Sequence, residues 1–303
     1  MADLYRNRQA KRLFGFIAAG GTAGAIAGPL LTASLALSIG PASLLLISAL
    51  CLCWALLCIH RLIAWKERVR ATAENTTAGA LTGAEADPAL GGSLFAGVQL
   101  VLRSPYLLGI CLLMLLFTTL ATFLYFQQAQ IIRDNFTDPA ARTAVFAGID
   151  LAVNSLTLLI QVLLTGRLVK WLGLPVTLAL IPLLLGTGFL AIGFAPVLAV
   201  LVVVQVTRRA GNYAIMRPAR EMLYVVLGRE EKYKAKNFID TVVYRGGDAV
   251  SAWIYDGLRM LGLGLSAIAF IAVPLAAVWA GVAYRLGQQQ AVLAAGIPQE
   301  KSP

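Results

Sequence analysis

Charged and polar side chains stand inside stretches that are otherwise apolar, and their spacing is where chemistry would have to reside. The stretch Pro196–Leu223 carries Arg208, Arg209, Arg217, Arg220 and Glu221. At helical spacing Arg209, Tyr213, Met216 and Arg220 share one face. Arg217 and Glu221 stand four residues apart, as helical ion pairs do. Arginine stays charged and presents a fork of donors to an oxyanion, so this face suits an anionic solute. The alternative reading is that Arg217 and Arg220 lie at the end of a span and reach back to the headgroups. The stretch Ala235–Leu258 carries Asp240, Tyr244, Arg245, Asp248 and Asp256. Either Arg245 and Asp248 neutralise each other along the helix, or Asp248 pairs with Arg209 across helices and switches between two states. Glu221, Asp240, Arg245 and Asp248 are therefore the candidates for gating or structural ion pairs.

A second polar face runs through Asp150, Asn154, Thr157 and Gln161. It is either hydrogen-bonding glue between helices or the lining of a cavity. Tyr125, Gln127 and Gln128 could supply hydrogen bonds to a base or sugar. Asn154, Gln161, Gln127 and Gln128 thus join Arg208, Arg209, Tyr213, Arg217 and Arg220 as candidate substrate-binding residues. Covalent chemistry has little to work with. No nucleophile–base pair, phosphate loop or cofactor motif is present. The cysteines, Cys51, Cys53, Cys58 and Cys111, lie in apolar runs with neither zinc nor disulfide spacing. His60, the lone histidine, ends an apolar run beside Arg61 and reads as interfacial. No metal site, cofactor or enzymatic activity is expected.

The elements that must hold these residues are set by composition. Hydrophobic residues make up 59% of the chain, charged residues 13%, and mean hydropathy is +0.77. A soluble domain is roughly 45–50% apolar and about 25% charged, so the solvent of this chain is lipid. The net charge of +10 falls in short clusters between apolar runs, which indicates topology rather than nucleic-acid binding. A spanning helix needs about 20 apolar residues. The runs Leu13–Ser38, Pro41–Trp65, Pro105–Ile131, Ala141–Thr165, Leu174–Phe194, Pro196–Leu223, Ala235–Leu258 and Leu263–Leu286 qualify. The expected fold is all-α and polytopic, with about eight transmembrane helices.

Four regions follow. Residues 1–65 hold two spans. Residues 66–104 form a polar linker, ending in an amphipathic interfacial helix over Ser93–Arg103. Residues 105–287 form a six-span bundle, and residues 288–303 a tail. Loops rich in Lys and Arg (Arg61 to Arg70, Arg167 and Lys170, Arg229 to Lys236, Arg285) should face the cytoplasm, which puts both termini there. Gln9-Ala10-Lys11-Arg12-Leu13 ahead of Gly20-Gly21 parallels Lys234-Ala235-Lys236-Asn237-Phe238 ahead of Gly246-Gly247, as in a protein of two related halves. If the halves correspond, Leu13–Ser38 is the fifth span of its half. The first four helices then lie upstream of a truncated or late-called start.

Several motifs carry a family resemblance. Gly15, Gly24, Gly28 and Pro29 have the spacing of the antiporter motif in the fifth helix of major facilitator transporters; small residues at that spacing allow close helix packing. Gly166-Arg167-Leu168-Val169-Lys170-Trp171-Leu172-Gly173 resembles a short cytoplasmic loop motif of the same superfamily, with Lys170 where an acidic residue is usual. Tyr213-Ala214-Ile215-Met216-Arg217-Pro218-Ala219-Arg220-Glu221-Met222-Leu223-Tyr224, and Gln9 to Phe16, resemble the bacterial and plastid ATP/ADP translocase family.

The resemblance implies a secondary transporter of the bacterial inner membrane, working by alternating access and by antiport. Its expected partners are membrane lipid and a small organic anion, with nucleotide exchange of the ATP/ADP type foremost. Another solute on the same fold, or a non-transporting membrane protein, is the alternative. Nucleic acid is not an expected partner. If the arginine face binds the solute, Arg209→Ala abolishes uptake into proteoliposomes while membrane insertion, followed by fractionation, is unchanged. Normal uptake by that variant would remove Arg209 from the binding face.

Overall fold

The computed structural model describes residues 7–76 and 95–295; the surroundings of side chains 7–19, 63, 65–76, 95, 96, 229 and 230 lie outside the description. The described residues are helical or in turns, with no strand among them, as an all-α chain in lipid requires: with no water to satisfy the backbone, each segment must bond to itself. Helices long and apolar enough to cross a membrane cover Gly20–Leu62, Pro105–Asn135, Pro139–Leu163, Thr165–Phe194 and Leu265–Ala295. The chain divides into two compact units, Met1–Gly91 with Asp138–Gly148, and Gly92–Thr137 with Ile149–Pro303.

The first unit contains α1 (Asn7–Thr76), which is two helices meeting at Gly40, where φ is 76° and ψ 162°. Only glycine adopts this backbone cheaply, and Pro41 then opens the second helix without losing a needed donor. The break falls where the two expected spans meet. Two corrections arise here. Helix α1 continues through Lys66 to Thr76, so the start of the expected linker is helical; residues 77–94 lie outside the description. At the glycine motif, Gly24 and Gly28 have nothing within 4 Å of a built Cβ among the described residues, so no close packing is seen there. Gly15 lies among the residues whose surroundings are not described.

In the second unit, α2 (Phe95–Arg103) docks on α8 (Arg229–Phe238), with Gly97 so close that a Cβ would stand 2.9 Å from the Lys234 carbonyl oxygen. Ser104 caps α3 (Pro105–Asn135), its Oγ accepting from the Leu107 N–H at 3.4 Å. Next come α4 (Pro139–Leu163) and α5 (Thr165–Phe194). Helix α5 is interrupted at Gly173 (φ 72°), where the sequence places the loop before Leu174. Helix α6 (Leu198–Gly211) runs through a π-helical turn, Asn212–Met216, into α7 (Arg217–Leu223). Helix α8 likewise runs through a π turn, Ile239–Val243, into α9 (Tyr244–Met260). Helix α10 (Leu265–Ala295) closes the bundle. The expected spans Pro196–Leu223 and Ala235–Leu258 are thus composite rods rather than single α-helices. The expected tail is helical as far as Ala295.

Helix α3 is central. Leu107, Ile110, Leu113, Met114, Leu120 and Leu124 are buried, while Leu108, Leu112 and Leu115 on the same helix are exposed. A helix apolar on both sides belongs in lipid. Because lipid tails are as apolar as leucine, close packing and hydrogen bonds must hold the helices together. Glycines provide the close approaches. Gly211 meets Ile181 on α5, Gly188 meets Val204 on α6, and Gly287 meets Pro175. Hydrogen bonds cross the same seams. Tyr106 Oη donates to the Leu223 carbonyl at 2.8 Å, and Thr119 Oγ1 lies 2.9 Å from Ser251 Oγ.

The two members of the Gly246-Gly247 pair differ in surroundings. A Cβ on Gly247 would stand 2.5 Å from Thr118 Oγ1 and 3.1 Å from Leu115 Cδ2, whereas one on Gly246 meets nothing within 4 Å. Gly247→Ala should cost about 1–3 kcal/mol by overpacking. Gly246→Ala should be neutral or stabilise by up to about 1 kcal/mol through helix propensity. Thermal unfolding of both variants in detergent checks this; equal effects would place the α3–α9 contact elsewhere.

Candidate functional site

The two composite rods carry the ionic side chains, and both break into π turns at the same wall. In the first turn the Arg217 N–H reaches back to the Asn212 carbonyl, and in the second the Tyr244 N–H reaches the Ile239 carbonyl. A local cause of the first break is Pro218. Proline has no N–H for the carbonyl four residues back, here Ala214, and its ring crowds that carbonyl. The Ala214 carbonyl is taken instead by Thr165 Oγ1 at 2.8 Å, and Tyr213's by Gln161 Nε2 at 3.5 Å. Two side chains from the α4–α5 junction thus satisfy the opened turn.

The π turn also re-aims side chains. In an α-helix, residues four apart drift by about 40° around the axis. A wider turn, closed five residues apart, sets that drift back. Arg209, Tyr213, Arg217 and Glu221, four apart throughout, therefore all line one cavity, joined by Lys236, Asp240 and Tyr244 from the second rod. Met216, expected on this face from uniform helical spacing, is buried in the core.

The cavity has a volume of about 590 Å³. Its lining carries Arg208, Arg209, Arg217, Arg220, Arg245 and Lys236 against two carboxylates, Glu221 and Asp240. Asn212 adds an amide, and Phe117, Tyr213 and Tyr244 add aromatic surface. Arg209 pairs with Asp150 on α4. Lys236 Nζ sits 2.5 Å from Glu221 Oε2, and Arg220 Nη2 sits 3.8 Å from Asp240 Oδ1. Both of the latter pairs tie one rod to the other. Arg208, Arg217 and Arg245 have no carboxylate within 4.0 Å among the described residues. Arg208 Nε donates to Gln205 Oε1 at 3.1 Å, and Arg245 lies 6.0 Å from the Tyr244 ring centroid. Just beyond α7, burial holds the Tyr224 hydroxyl above the ordinary phenol range, so it remains neutral beside Lys236.

Several expected pairings are corrected. Arg209 takes Asp150, not Asp248, because α4 presents its carboxylate to the first rod. Glu221 takes Lys236 on the second rod rather than Arg217 on its own helix. Gln127 and Gln128 are buried away from the cavity. Gln127 Nε2 donates to the Leu265 carbonyl at 3.2 Å, and Gln128 Oε1 accepts from Gln205. Tyr125, Asn154, Gln161 and Asp248 do not line the cavity either. Asn212, Lys236 and Phe117 are lining residues that the sequence reading did not select. The i,i+4 series Lys236, Asp240, Tyr244 would have pointed to the second.

A family model of the Major Facilitator Superfamily matches residues 1–220. The chain belongs to the Major Facilitator Superfamily. A second model, TLC ATP/ADP transporter, matches residues 187–289, the stretch that holds both composite rods of this superfamily member. Two relatives, each named ADP,ATP carrier protein 1, come from Chlamydia muridarum (strain MoPn / Nigg) and Chlamydia trachomatis serovar D. They are 25% and 24% identical over 224 residues, 66% of this chain. The chain spans 42% of the length of each. No solved structure matches.

The arrangement can hold an anion by charge and hydrogen bonding, without covalent chemistry. Among the described residues no group of three or more His, Cys, Asp or Glu could hold a metal. Thr165→Val should destabilise the fold by about 1–3 kcal/mol, the cost of an unsatisfied buried carbonyl. The cost should be smaller in the Pro218→Ala background, where the Ala214 carbonyl regains a backbone donor. A double-mutant cycle on thermal unfolding measures the coupling; additive costs would separate Thr165 from the π turn.

Proposed function

We propose that this chain is part of a secondary transporter for a phosphorylated organic anion, foremost a nucleotide exchanged in the ATP/ADP manner. The observation that carries this reading is the wall of six cations facing two carboxylates, with Arg208, Arg217 and Arg245 left without a carboxylate partner among the described residues. Unpaired charge in a low-dielectric bundle is costly, and a multiply charged anion offsets that cost. Phe117, Tyr213 and Tyr244 offer apolar, stackable surface to the organic part of such a solute. The similarity to the ATP/ADP transporter model and to the two chlamydial carriers supports the same choice of substrate class.

Movement would follow alternating access, with helical bundles rocking about a site near the midplane. The distribution of Lys and Arg supports a reading in which both termini face the cytoplasm, at a bacterial inner membrane. Exchange of one anion for another conserves the site's need for counter-charge, which favours antiport over release of an empty cavity.

The protein reconstituted in nanodiscs should bind ATP and ADP but not adenosine, and added salt should weaken the binding. Arg217→Ala with Arg245→Ala should weaken ADP binding by at least about tenfold, the scale of one lost charge-assisted contact. Calorimetric titration reads both. Equal affinity for ADP and adenosine would sink the anion reading.

A further inference from the structure

Arg220 is a largely buried cation of the cavity wall whose donors the protein satisfies poorly. Its side chain is 12% exposed. Nε has no hydrogen-bond partner, Nη1 rests on the Met114 thioether sulfur at 2.7 Å, and Nη2 lies 3.8 Å from Asp240. A thioether is a weak acceptor, and 3.8 Å is too long for a hydrogen bond. A buried guanidinium with five donors is normally hydrogen-bonded throughout. Arg209 and Lys236, by contrast, are each in contact with a carboxylate.

We propose that Arg220 is the specificity-determining fork of the cavity. It grips the terminal phosphate of the solute, and Asp240 is its displaceable resting counter-ion. This rests on the anion-binding reading above and adds a division of labour to it. A phosphate has oxygens enough for the unused donors and takes a guanidinium in two-point fashion; an ammonium group cannot make that contact. Asp240 lies on the second rod, within its π turn, and its side chain is 35% exposed. When phosphate takes over Arg220, the 3.8 Å pair that ties the two rods is released. Ligand and Asp240 therefore compete for one guanidinium, so the carboxylate acts against binding even though it lines the site.

The two residues give opposite signs in one titration. Inorganic pyrophosphate and ADP are titrated into the nanodisc-embedded protein and its variants. Arg220→Lys should lose at least about tenfold in affinity for both probes, charge being kept and the fork lost. Asp240→Asn should bind both several-fold more tightly and show a larger ligand-induced rise in melting temperature. A purely structural Arg220–Asp240 pair predicts weaker binding in both variants. Unchanged affinity in Arg220→Lys, or weaker binding in Asp240→Asn, overturns the assignment while wild-type binding leaves the anion reading in place. Absence of wild-type binding to either probe overturns both. If Arg220→Lys does not fold, the sign of the Asp240→Asn effect decides alone.

Discussion

Keeping a guanidinium among apolar helices is the constraint on which the rest depends. Lipid offers no hydration, so each such charge needs a carboxylate, a polar cradle or a watery cavity. Eight charged side chains of the second unit's rods line that one cavity. Three cations hold carboxylates, one of those carboxylates reaching in from α4. Of the rest, Arg208 donates to Gln205, and Arg217 and Arg245 line the cavity. Helices α3, α5 and α10 are packed tightly by glycine contacts and buried leucines, and they form the stiff frame against which the charged rods stand.

The π turns fit the same constraint. A straight α-helix would spread the series Arg209, Tyr213, Arg217, Glu221 around its circumference and send some charges into lipid or core. The wider turn keeps them in register with one wall. Its opened carbonyls are covered by Thr165 and Gln161. Pro218 makes the irregular turn the cheaper one, because the regular hydrogen bond is already lost. No proline stands behind the second π turn; it leads into α9, where Gly247 closes on Thr118.

Membership of the superfamily accounts for the helical architecture, and the match of the ATP/ADP transporter model to 187–289 covers the two rods that shape the cavity. The expected antiporter glycines are different in kind. Gly24 and Gly28 meet nothing within 4 Å of a built Cβ among the described residues. Gln127 and Gln128 also changed meaning: they are amides that tie α3 to α10 and α6 across a seam.

Composition and local order decide much here. An apolar content of 59% dictates lipid as solvent, and that in turn dictates helices. Gly40 and Gly173 mark the breaks, and the arginines among apolar residues announce a polar cavity. Each of these is a property of one segment, readable from its own residues. The choice of partner is not. Asp150 rather than Asp248 for Arg209, Lys236 rather than Arg217 for Glu221, and the core position of Met216 depend on how one helix is rotated against its neighbours. That rotation is set by the shape of the seams and by the π turns, neither of which uniform 3.6-residue periodicity can express. Only packing the helices together determines which charges meet and which are left facing the cavity.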